Sequence, residues 1–178
     1  MDERDTTTTG RDWSLAELVI LSKTESAERL VEAVGLPPDR SWNLGDPRKS
    51  RGLVEKFSGI TYGSRLPRTA ELEAHLDDLL LRLAPAKDHI AALAAHLGQH
   101  EGRPDALRVW LTQLTSNPSP GYDFPPRQII QVGEMGAWLG VSLDVTDPTT
   151  TTIDSTRAED VAADGLVAIG AAPTQSTG

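Results

Sequence analysis

A thirty-residue helical pattern occupies the middle of the chain, TAELEAHLDDLLLRLAPAKDHIAALAAHLG, from Thr69 to Gly98. Leu72, Leu76, Leu79, Leu80 and Leu83 recur at helical spacing and mark one apolar face. Pro85 interrupts the pattern, because proline lacks an amide donor and clashes with the preceding turn. The spacing therefore predicts a kink or two helices, with Ile90, Leu93 and Leu97 resuming the face and Gly98 ending it. A helix with one apolar stripe must bury that stripe against another element.

The flanking segments supply strands. LAELVILSK, Leu15 to Lys23, is rich in β-formers and half alternating. It is followed by TESAERLVEAVGLPP, in which Ala27, Leu30, Val31 and Val34 form a helical face. Thr24 or Ser26 caps that helix, Gly35 takes the left-handed terminating conformation, and Pro37 prevents continuation. SWNL and SGITYGS read as two short strands. In ALRVWLTQLTS, Leu107, Val109 and Leu111 alternate with Arg108, Trp110, Thr112 and Leu114. NPSPGYDFPP reads as a loop in which Asp123 caps a following helix. That helix, in RQIIQVGEMGAWLG, places Ile129, Val132, Gly133, Gly136 and Leu139 on one face, with the glycines approaching the sheet. VSLDV is the last strand. The order β-α-β-β-α-β-α-β predicts an α+β fold, a mostly antiparallel sheet with helices packed on one face.

Only 4% of residues are aromatic, so the core has to be built from Leu, Val, Ile and Ala. Residues 1–14 and 148–178 lack apolar periodicity and read as flexible tails around a single domain at 15–147. LVAI, Leu166 to Ile169, is the one tail segment suited to docking on the body or on a partner. A net charge of −9 argues against general nucleic-acid binding, which needs a basic footprint. Without cysteine, disulfides, thiolate nucleophiles and Cys-ligated metals are excluded. The acidic, threonine-rich start and the short apolar runs predict neither a secretory signal nor a membrane span, and hence a cytoplasmic protein.

Several of these stretches resemble a bacterial family, the domain of unknown function 4279 family. They are LVILSKTESAERLVEAVGLPPDRSWNLGDP, ELEAHLDDLLLRLAPAKDHIAAL, LRVWLTQL and QVGEMGAWLGVSLDVT. The likeness rests on Gly35, Leu36, Pro38, Trp42, Gly45, Asp46 and Pro47, which are turn and core signals. At Ile60, Thr61 and Tyr62 the chain departs from the Trp-Ser-like strand of the family pattern. The resemblance carries over no catalytic residue and no cofactor.

No catalytic constellation stands out. His96 and His100 are four apart, but the helix is expected to end between them and no third metal ligand is at a recognisable spacing. Asp77 and Asp78 are neighbours on a helix and cannot share a site. Serine-elbow and phosphate-loop spacings are missing. Positive charge instead gathers between Arg40 and Arg68, where seven Lys or Arg face two acids, a local balance of +5 against −14 elsewhere. The candidate binding residues are Trp42, Arg48, Lys49, Arg51, Lys56 and Tyr62. They suggest an interaction module, toxin-neutralising or regulatory, that meets a protein with an acidic surface. The competing readings are a charged hairpin that only resists aggregation, a cleft in which Arg48, Lys49 and Arg51 hold an anionic ligand or substrate, and oligomerisation through a sheet edge. Trp110 and Trp138 read as core.

Overall fold

A computed structural model describes residues 12–48, 52–103, 106–117 and 120–145. The LVAI segment and the tail around it lie outside the described residues. Strand β1 spans Trp13–Ser22, helix α1 Ala27–Val34, β2 Arg40–Trp42 and β3 Ser58–Gly63. Helix α2 spans Leu72–Leu83, α3 Lys87–Glu101, β4 Leu107–Thr115, α4 Pro126–Glu134 and β5 Trp138–Val145. The five strands form one sheet in the order β2-β3-β1-β4-β5. All neighbours are antiparallel except β4 and β5. This is the expected α+β architecture.

Side chains alternate across each strand, so the register assigns every residue a face. Ala16, Leu18 and Ile20 of β1, Ile60 and Tyr62 of β3, and Leu107, Val109 and Leu111 of β4 point to one side. There they meet Leu30 and Val34 of α1, Leu72, Leu76, Leu79, Leu80 and Leu83 of α2, and Ile90, Leu93 and Leu97 of α3 in one largely aliphatic core. Among the described residues, the opposite face of the sheet carries no helix.

Local signals explain the helix ends. Ser26 is the N-cap of α1, its side chain accepting from the Arg29 amide, and Gly35 closes the helix at φ 73° with its N–H on the Val31 carbonyl. Pro85 sits in a single 3₁₀ turn, Ala84–Ala86, that separates α2 from α3. The end of α3 is a correction. Gly98 lies inside the helix, which runs on to Glu101 and closes at Gly102, φ 61°. A carboxylate holds the extra turn in place. Glu101 accepts hydrogen bonds from the Ser22 hydroxyl, from the Lys23 amide at 2.9 Å and from the Thr24 hydroxyl at 2.8 Å.

The last third differs further. Pro125, not Asp123, precedes α4, and the Asp123 amide instead donates to Glu73. Gly133 has open space around it, while Gly136 makes a turn at φ 67° after the helix ends. β5 begins at Trp138, which is 59% exposed rather than core.

Candidate functional site

The helix-free face is set out by strand register in rows across the sheet. One row holds Trp42, Gly59 and Leu21. The next holds Arg40, Thr61, Val19, Arg108 and Trp138. Then come Gly63, Glu17, Trp110 and Gly140, followed by Leu15, Thr112 and Ser142. Trp13, Leu114 and Asp144 complete the face. All four tryptophans of the protein therefore stand on the side of the sheet away from the helices.

Two of them lie over glycine. A Cβ at Gly59 would fall 2.4 Å from the Trp42 ring, and one at Gly140 would fall 2.2 Å from the Trp110 ring. Each ring covers the strand opposite it, so each edge of the sheet is fastened by a tryptophan on a glycine. Two tryptophans also carry cations. The Arg68 guanidinium lies 5.0 Å from the Trp13 ring centre, and Arg40 lies 5.8 Å from that of Trp42. Both arginines are exposed.

Glu17 stands at the centre, on the middle strand. Its side chain leans over Gly63, where an added Cβ would be 3.8 Å from Glu17 Cγ and 3.6 Å from an Asp39 oxygen. Burial pushes the Glu17 carboxyl above the ordinary carboxylate range, with Arg40 and Arg68 opposing and Asp39 reinforcing the shift. Asp39 behaves in the opposite way. Arg82 of α2 grips both of its oxygens, at 2.5 and 2.8 Å, and also donates to the Gly63 carbonyl at 2.7 Å. The Asp39 carboxyl is held below its usual range, chiefly by that bond to Arg82.

The basic hairpin is less coherent than its sequence suggests. Arg48 Nε pairs with Glu55 at 3.2 Å across a turn closed by a bridge between Pro47 and Val54. Lys49 and Arg51 lie outside the described residues, and Lys56 is exposed. Tyr62 does not join Trp42 on a common surface. It is fully buried on the helix side, its hydroxyl donates to the Leu36 carbonyl at 2.9 Å, and burial pushes its ionisation up to about 12. Trp42 is half-buried on the other face.

Other polar groups resolve into structural roles. His75 is fully buried, with Nδ1 2.9 Å from Ser64 Oγ, and that hydroxyl donates to Asp78 at 3.0 Å. The residue types are those of a hydrolase triad, but the serine proton goes to the carboxylate and the imidazole is sealed from solvent. Desolvation holds His75 below the usual histidine range. Asp77 pairs with Arg127 at 2.9 Å. Because α3 continues past Gly98, the His96 and His100 rings approach to 4.3 Å, and His96 lies 3.5 Å from Glu25. Among the described residues no group of three or more His, Asp or Glu is placed to hold a metal ion. Open troughs of about 500 Å³ between α1 and α3 and about 410 Å³ beside Leu36 and Arg82 are not lined by Arg48.

Fold and site together define an α+β protein in which the sheet of the described residues has helices on one face and a tryptophan-rich surface on the other. The chain belongs to the family described as Domain of unknown function (DUF4279), which it matches over residues 9–146, as its turn and core residues suggested. No curated protein and no solved structure matches it. No helix among the described residues is long and apolar enough to cross a membrane.

Proposed function

We propose that the protein is a cytoplasmic bacterial interaction module that binds an acidic protein partner through the helix-free sheet face. Neutralising a toxin and regulating a neighbouring protein are the forms such a module takes. One observation carries this reading, namely that all four tryptophans share a face on which Arg40 and Arg68 lie over Trp42 and Trp13. Tryptophan and arginine are the residues most enriched where binding energy concentrates. An arginine held over a ring has already given up part of its freedom, so less ordering remains to be done on binding. The surface is broad and aromatic with a cationic border, which suits a protein face better than a small enclosed ligand. The hairpin contributes Arg40 and Trp42, while Arg48 and Lys56 are peripheral in this reading.

The test is capture of partners from the host by tagged wild-type protein, by Arg40→Glu/Arg68→Glu, and by Arg48→Glu/Lys56→Glu, followed by titration with the purified partner. The sheet-face variant is expected to lose the partner and the hairpin variant to keep it. A partner retained by Arg40→Glu/Arg68→Glu would overturn the assignment.

A further inference from the structure

The two edges of the sheet are built differently. β2 is a three-residue strand followed by a long, charged loop, which blunts that edge. β5 is eight residues long, contains no Lys, Arg or Pro, and has no strand on its outer side among the described residues. Its side chains toward the helix layer are incompletely covered, with Val141 44%, Leu143 38% and Val145 49% exposed. On the same side of the sheet α4, which packs on β5, exposes Ile129 and Ile130.

We infer that β5 is a homodimer edge, pairing antiparallel with β5 of a second copy of this chain. A two-fold interface requires one surface to complement itself, and β5 does so. Centring the axis on Val141 sets Val141 against its counterpart, Leu139 against Leu143, Gly140 against Ser142, and Trp138 against Asp144. That register keeps the two helix layers on one side and the two tryptophan faces on the other. Asp144 is the only charged residue on the strand, and it meets Trp138 rather than its own copy, so no like charges stand opposite each other. For a chain of net charge −9, this nearly uncharged stretch is where two copies approach with little repulsion.

The inference is independent of the proposed function, because Val141 and Leu143 point away from the tryptophan face. The test is native mass by light scattering from low to high micromolar concentration, for wild type, Val141→Lys and Leu143→Glu. Wild type is expected at twice 19.2 kDa and both variants at half that mass, with unchanged far-UV circular dichroism. Should one variant fold poorly, the other gives the same reading, and amide exchange across β5 in the wild type should speed up on dilution. A monomeric wild type throughout overturns the inference, whether the edge is bare or covered by residues 146–178. Variants that stay dimeric overturn it equally.

Discussion

At the scale of single residues, glycines decide which tryptophans can lie flat on the sheet. Gly140→Ala and Gly59→Ala are each expected to lower stability by about 1–3 kcal/mol, because a methyl group would collide with the Trp110 or Trp42 ring. Gly133→Ala is the opposite case. It sits in α4 with open space around it and should stabilise by about 0.5–1 kcal/mol. Urea unfolding of the three variants checks both signs. Glu17 gives a second prediction. Its carboxyl binds a proton more tightly in the folded state, so stability falls as pH rises from the ordinary carboxylate value through the raised one. Glu17→Gln should therefore be more stable than wild type at neutral pH and no different in acid. Asp39 works in reverse, its contribution being lost as pH falls below the ordinary carboxylate value. The sequence shows that Trp110 alternates with Val109 and Leu111. It does not show which side receives the helices, because that depends on pairing with residues far away in the chain. The reading of Tyr62 as surface fails for this reason, whereas that of Trp138 as core fails because the residue opens β5 instead of lying near the end of a helix.

At the scale of elements, boundaries set by backbone chemistry are legible in the sequence. Pro85 divides two helices and Gly35 ends one, as each residue's conformational limits require. Boundaries set by long-range contacts are not. A glycine inside a helix and a glycine after one look alike in sequence, and Gly102 rather than Gly98 is the terminus because Glu101 reaches the turn after β1. Burial alone would raise the Glu101 carboxyl, but its bonds from Ser22, Lys23 and Thr24 outweigh that and hold it low. Glu101→Ala is expected to destabilise by about 2 kcal/mol, the range for hydrogen bonds to a charged group. It should also raise amide exchange at Lys23 and Thr24, in the turn after β1, relative to β1 itself. Denaturant titration and exchange measured by mass spectrometry would check these two effects.

At the scale of the whole molecule, the protein keeps an aliphatic interior on one side and its tryptophans on the other. An acidic partner that covers the open face should change the emission of several tryptophans at once. Affinity should weaken as salt rises, since exposed charges more than about 10 Å apart are largely screened at 0.1 M. A fluorescence titration at low and high ionic strength measures both effects, and a salt-insensitive affinity would count against Arg40 and Arg68 as the cationic border. A further consequence comes from the parallel pairing of β5, which reaches its place beside β4 only after the connection through α4. On the ribosome, Trp110 emerges long before Gly140 and has no seat until β5 is free. A nascent chain stalled before residue 138 would thus show β4 as a bare edge with an unplaced indole, the state in which a chaperone would find it.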